Sequence, residues 1–148
     1  MRLREVADAD LDDLFEQQAD PDAYTLADLP PRDRVAFDAH WARIRSDASF
    51  TIRTIDLDGR VAGHALSFER DGVRLVGYWL GKEFWGRGIA SQALAEMLTI
   101  ERRRPLHAQV ARDNAGSMRV LEKNGFRRIA ARPDGFVYEL GSNPSTRP

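Results

Sequence analysis

Apolar residues recur every three or four positions, then every second position, then every three or four again, and each change of period marks a change of element. Asp8 is placed to cap a first helix whose Leu11, Leu14 and Phe15 share a face. Residues 21–32 contain three prolines and read as a loop or a broken helix. A helix over 34–45 aligns Phe37, Trp41 and Ile44. Strands are expected over 50–56, 60–68 and 73–80. Asp58-Gly59 and Asp71-Gly72 separate them as hairpin turns, so the three should form an antiparallel meander. Gly86-Arg87-Gly88 then opens a helix running to about Arg103, with Ala90, Ala93, Leu94, Met97 and Leu98 at helical spacing and Pro105 as its stop. A short strand over 106–110 leads to a helix that starts at Asn114 and ends at Asn124-Gly125, where glycine supplies a left-handed cap. Residues 126–132 and 136–140 are two last strands around Pro133-Asp134-Gly135. This order predicts an α+β, or mixed α/β, sheet flanked by helices. One domain over 1–140 and a disordered tail over 141–148 are expected.

Composition narrows the class. The chain has 148 residues, 43% hydrophobic and 30% charged, enough for one core and unlike a disordered chain. No apolar run is long enough to cross a bilayer, and the start MRLREVADADLDDL lacks a secretory pattern, so a cytoplasmic protein is expected. The absence of cysteine removes disulfides, thiolate metal sites and a cysteine nucleophile. No His/Asp/Glu spacing suggests a metal. A net charge of −1 implies no bulk attraction to nucleic acid or anionic membrane. The charge is uneven, however. Residues 5–31 hold nine acids and no Lys or Arg, while residues 101–132 hold nine bases against three acids. Either these are two solvated faces, or one end suits a cation and the other an anion.

The chemistry gathers at a turn. Tyr78-Trp79-Leu80 ends a strand, and Trp85-Gly86-Arg87-Gly88-Ile89-Ala90-Ser91 follows. Two glycines let the backbone pass close to a ligand, and the next helix aims free N–H groups and its positive dipole end at the same point. That suits a phosphate or pyrophosphate, with Arg87 able to add a charge-assisted bond. A Walker loop would need a Gly-Lys-Ser/Thr ending, and a dinucleotide fingerprint would need glycine where Ser91 stands. A plain strand–turn–helix corner is the ordinary alternative.

A second stretch reads Asn114-Ala115-Gly116-Ser117-Met118-Arg119-Val120-Leu121-Glu122-Lys123-Asn124-Gly125-Phe126. With it, residues 50–140 resemble the GNAT superfamily of acyl-CoA-dependent N-acetyltransferases, particularly the branch that includes the ribosomal-protein N-terminal acetyltransferases. The resemblance implies a mostly antiparallel sheet splayed between its fourth and fifth strands, here 73–80 and 106–110. It implies a pantetheine arm in that gap, bonded to backbone near Tyr78, Trp79 and Leu80, a pyrophosphate on the amides of Trp85 to Ala90 with Ser91 beyond, and the cofactor arm held by Asn114. It also implies Ser117 as the hydroxyl that, in this branch, protonates the departing thiolate; other branches use a tyrosine where Leu121 stands, so Ser117 must serve, or solvent must. Asn114 has an ordinary alternative role as a helix cap, and Ser117 as a first-turn serine.

The expected cosubstrate is therefore acetyl-CoA, without a metal, and the expected reaction is direct attack by a primary amine in a ternary complex. The acceptor is a protein N-terminus or a small-molecule amine. A lysine-type amine, with pKa near ~10.4, is neutral in about one molecule in ~2,500 at pH 7, so a base or a water chain must take its proton. An α-amine near ~8 needs less help. No base stands out. His64 lies mid-strand with Leu66 and Phe68 and reads as a satisfied core histidine, Glu69 and Glu83 read as exposed, and His40 and His107 are weaker candidates. The acidic N-terminal helices are expected to border the acceptor cleft, with Asp20 and Asp22 attracting the amine and Tyr24, Phe37 and Trp41 as possible lining or core. A non-catalytic acyl-CoA sensor of the same fold is the alternative, and a nucleotide-dependent oxidoreductase a third.

Overall fold

The computed structural model describes residues 1–141, so most of the expected tail lies outside the described residues. Within them, seven strands form one sheet: β1 (Arg2–Arg4), β2 (Thr51–Leu57), β3 (Arg60–Arg70), β4 (Val73–Leu80), β5 (Leu106–Ala111), β6 (Arg127–Arg132) and β7 (Gly135–Leu140). Their order is β1-β2-β3-β4-β5-β7-β6, antiparallel except at β4–β5. Five α-helices flank it: α1 (Leu11–Ala19), α2 (Pro21–Ala27), α3 (Arg34–Ser46), α4 (Ile89–Ile100) and α5 (Ala115–Lys123). The mixed architecture expected from the sequence is the one observed.

The meander is held where the turn chemistry placed it. Asp58 and Gly59 have φ of 52° and 87°, and Asp71 and Gly72 have 52° and 77°. Two successive left-handed residues match the right-handed twist of a hairpin. The hairpins put His64 opposite both Thr54 and Trp79, and Ala65 opposite Tyr78. One sheet face buries Val76, Leu94, Met97, Leu106, Phe126 and Tyr138 under α4 and α5. The other buries Leu14, Phe37, Trp41, Ile44 and Ile52 under α1 and α3. Each such side chain, removed from water, contributes about 1.5–3 kcal/mol.

The structure adds two elements and trims a third. β1 has only three residues, too few to show alternation, and exists because β2 offers it an edge: Leu3 sits opposite Ile55. The proline-rich stretch holds a true helix. Asp20 caps α2, its Oδ1 accepting from Asp22 N–H at 3.0 Å, and Pro21 occupies the first turn, where its missing N–H costs nothing. Proline breaks a helix interior but suits its start. α4 ends at Ile100 rather than near Arg103. The next residue, Glu101, turns inward to a buried pair with Arg74, Nε to Oε1 at 2.5 Å, and accepts from Ser67 Oγ at 2.9 Å.

The parallel pair is the feature that makes a site. β4 and β5 meet at a single register pair, Leu75 opposite His107, and part beyond it. Gly81 N–H donates to Ala62 O at 2.8 Å on the far side of β4. In an antiparallel pair, hydrogen-bonded and non-bonded residues alternate. The main-chain groups of Tyr78 and Leu80 therefore point away from β3, into the gap.

Candidate active site

Three adjoining cavities run through that gap. The first, of about 420 Å³, lies between β4, the glycine turn and the start of α5, and is lined by Tyr78, Trp79, Leu80, Trp85, Gly86, Ala90, Asn114 and Ser117 among others. The second, of about 210 Å³, lies between the parted strands and shares Tyr78, Trp79, Asn114 and Ser117 with the first. The third, of about 260 Å³, shares Leu29, Gln109, Val110 and Ala111 with the second and opens beside Asp28, Arg132, Asp134 and Phe136. Ser117 and Tyr78 thus stand where the turn side and the far side meet.

At the turn end, Gly86 and Gly88 have φ of 73° and 76°. A Cβ built on either would meet no atom within 4 Å, so it is the left-handed backbone, not crowding, that requires glycine, and the space in front of the turn is open. Gly88 is the N-cap of α4 and offers no side chain to the helix, whose first turn also lacks any acid. The first amides of α4 are left without a capping side chain beside an open cradle, which is what an anionic group needs.

The other residues singled out in the sequence fall into place unequally. Ile89 is 5% exposed, and its side chain belongs to the core beneath the turn, so only its amide faces the cradle region. Arg87 is exposed, with its guanidinium 5.8 Å from the Phe84 ring centroid, and does not line the cavity. Ser91 accepts from Asn124 Nδ2 at 3.3 Å, tying α4 to α5. The Trp85 indole donates to Leu80 O at 2.9 Å, bracing the glycine turn against the end of β4. Asn114 caps α5: its Oδ1 accepts from Ser117 N–H at 3.2 Å, which leaves its amide nitrogen free to donate.

Ser117 has a partner that the sequence did not announce. The Tyr78 hydroxyl donates to Ser117 Oγ at 3.0 Å. Burial pushes the Tyr78 phenol above its ordinary range.

None of the base candidates reaches the gap. His64 packs edge-on against Trp41, ring centroids 4.9 Å apart, and burial beside the charge of His40 pushes its pKa down to about 4. It is a half-buried histidine against a core tryptophan rather than a satisfied core residue: its Nδ1 is buried without a partner. His40 lies 2.8 Å from Arg43, and burial, with Arg32 and Arg43 nearby, likewise lowers it to about 4. His107 Nε2 sits 3.0 Å from Glu139, Glu83 pairs with Arg60, and Glu69 is exposed. Among the described residues, the acids that line the three cavities are Asp28, Asp113 and Asp134. No described group of three or more His, Cys, Asp or Glu is placed to hold a metal.

The acidic N-terminal segment is largely engaged elsewhere. Asp8 pairs with Arg45, Asp10 with Arg4, Asp12 with Arg34 and Asp22 with Lys82. Asp20 caps α2 and lines a separate groove of about 690 Å³ with Asp13, Glu16 and Arg60. Phe37 and Trp41 are core, at 0% and 2% exposed. The α2 residues that do line the gap are Ala23, Leu26 and Ala27. Their spacing was legible, but only to a reading that took Pro21 as a helix start. Arg119, Asp113 and Leu29 were also missed, because nothing local marks which exposed residue borders a cleft.

A sheet parted at a parallel pair, with a glycine-opened helix at one end of the gap, is the architecture of a GNAT acetyltransferase domain. A family model described as an acetyltransferase (GNAT) domain matches residues 1–127, and the chain belongs to that family. No curated protein sequence matches it. Among solved structures, it is similar to a domain from Methanocaldococcus jannaschii DSM 2661, with 20% identity, a TM-score of 0.79 and coverage of 94% of this chain and 96% of that one. The aminoglycoside acetyltransferase AAC(6′)-Ib, solved with ribostamycin and coenzyme A, is 19% identical over 95% of this chain and 92% of its own, with a TM-score of 0.78. The spermidine N-acetyltransferase from Vibrio cholerae, solved with CoA and spermine, is 15% identical over 93% and 92%, also at 0.78. At such identities the likeness is one of fold. No helix among the described residues is long and apolar enough to cross a membrane.

Proposed function

We propose that this protein transfers an acetyl group from acetyl-CoA to a primary amine by direct attack in a ternary complex. The observation that carries the reading is the run of cavities through the β4–β5 gap, with Ser117 where they meet. Coenzyme A enters from the turn end. Its pyrophosphate takes the amides from Gly86 to Ser91, since the Trp85 N–H is already engaged by Lys82 O at 3.1 Å, and Arg87 is free to swing onto a phosphate. The pantetheine arm adds to the edge of β4 at Tyr78 and at the Leu80 N–H, the Leu80 carbonyl being held by the Trp85 indole, in the manner of an added strand beside Trp79. Asn114 holds the arm through its free amide nitrogen. Ser117 then donates to the sulfur as the carbon–sulfur bond breaks.

The acceptor approaches from the far mouth, where Asp28 and Asp134 offer negative charge. No histidine lines the gap, and its acids stand at the two ends, so the amine's proton leaves through water. That arrangement favours an acceptor of low pKa. An α-amine near ~8 is already about one-tenth neutral at pH 7, which supports a protein N-terminus as in the ribosomal-protein branch. A small-molecule amine is the second acceptor class, suggested by the neighbours solved with ribostamycin and spermine. The catalytic unit is one domain over 1–140, working in the cytoplasm without a metal, nucleic acid or membrane partner. The lack of a base inside the gap also favours one other reading, a domain that senses acyl-CoA without transferring. Thiol release from acetyl-CoA, measured across a panel of free amines and of peptides varied in their first residue, separates the two. Release with peptides supports the proposal, and none with any acceptor, despite binding, points to the sensor.

A further inference from the structure

We propose that Tyr78 is a positioning residue for the transfer, its phenol donating to Ser117 Oγ so that the serine's own proton is left for the departing sulfur. The inference deepens the transferase reading and rests on it. A serine hydroxyl has one donor and two acceptor sites and rotates freely unless a partner selects one direction. Here the backbone of Ser117 is pinned, because its N–H donates to Asn114 Oδ1 at 3.2 Å. Its oxygen is then engaged by Tyr78 at 3.0 Å. Of the ways Oγ–H can turn, the one toward Tyr78 is closed, since a donor already points from there. Both residues line the first and second cavities, so a hydroxyl turned away from Tyr78 has those cavities open to it.

The direction of the tyrosine–serine bond is stable over the working pH range. Burial disfavours the phenolate, so Tyr78 stays a donor and does not titrate into an acceptor that would turn the serine around. Donation into Oγ also polarises its O–H, which strengthens the bond that hydroxyl can give. In the transfer, the amine nitrogen forms a bond to the acyl carbon and the carbon–sulfur bond breaks. Sulfur leaves with the electron pair and is met by the Ser117 hydroxyl. Ser117 gives its proton to that sulfur, the proton lost from the amine returns to Ser117 Oγ through water, and Tyr78 keeps its own throughout.

The test reads the thiol of bound CoA by its ultraviolet thiolate absorbance as a function of pH, alongside turnover. A donor aimed at sulfur lowers the thiol's apparent pKa. Ser117→Ala should raise it by about half a pH unit or more, the equivalent of one modest hydrogen bond. Tyr78→Phe should raise it nearly as far, and Tyr78→Phe/Ser117→Ala no further than Ser117→Ala alone. In turnover, Tyr78→Phe should lower kcat about tenfold and leave KM for acetyl-CoA within about twofold, since the interaction acts on the leaving sulfur. Placing 3-fluorotyrosine at 78 keeps the shape and makes a stronger donor, so the thiol pKa should fall, which guards against a folding defect in the phenylalanine variant. A wild-type thiol pKa in Tyr78→Phe, or shifts that add in the double variant, would overturn the role of Tyr78 while leaving the transferase reading intact. Failure of the wild type to bind CoA would overturn both.

Discussion

At the scale of single residues, glycine and histidine carry the clearest demands. Gly88 holds φ at 76° in front of open space, so two separate penalties can be imposed there. A β-branched residue strains the left-handed backbone by about 1–2 kcal/mol and also projects a side chain into the cradle. Asparagine tolerates that backbone and still projects a side chain. Gly88→Asn is therefore expected to melt within a few degrees of wild type while losing at least about tenfold in acetyl-CoA affinity, as read by calorimetry. Gly88→Val should lose both. His64 makes a different demand. Its folded pKa of about 4 lies below the ordinary 6.5, so the unfolded chain binds more protons between those values. Stability is then full above about pH 6.5 and falls as the pH drops toward 4. His40 acts in the same sense. The carboxylates held low by their partners, Asp10, Asp56 and Glu101, lose their contribution only at still lower pH. Thermal melts at pH 7.5 and pH 5 should show this loss, and His64→Gln should reduce the difference.

At the scale of elements, what holds α4 over the sheet matters as much as what opens it. Its N-terminus is left uncapped for a ligand, and its C-terminus is anchored by Glu101. Burial alone would raise the Glu101 carboxyl, but hydrogen bonds from Arg103 N–H, Arg74 and Ser67 outweigh it and hold the pKa at about 2. Arg74 and Glu101 are 6% and 3% exposed, so removing one leaves the other charged in the core. Glu101→Ala is expected to cost about 3–5 kcal/mol in urea unfolding, and the apolar double replacement Arg74→Met/Glu101→Leu to recover most of that. The helices flanking the site were unequally legible. α4 and α5 show apolar periodicity, a glycine or asparagine at the start and a clear stop. α2 carries the same kinds of signal, Asp20 as cap and Pro21 in the first turn, but its prolines masked them.

At the scale of the whole molecule, charge is distributed by the fold and not by the chain. The acids of residues 5–31 meet arginines from α3, β1 and elsewhere, so the run that looked like a cation-attracting end is mostly neutralised locally. The acids that reach the far mouth of the gap are Asp28, from the end of α2, and Asp134, from the β6–β7 turn, more than a hundred residues apart. Asp28→Asn/Asp134→Asn is expected to raise KM for cationic amines several-fold at low salt, less at higher ionic strength, and to leave acetyl-CoA affinity unchanged. Asp20→Asn/Asp22→Asn should leave the amine KM where it is. Steady-state kinetics at two salt concentrations distinguish the pairs. The sequence by itself determined the meander, the glycine-opened helix and the asparagine-capped one, because hairpin turns, caps and apolar periods are written within a dozen residues. Only the tertiary structure decided that β4 and β5 part beyond Leu75, that Tyr78 meets Ser117 across 39 positions, and which acids stay free. Those depend on which faces pack together, and a contact between distant segments leaves no local period to read.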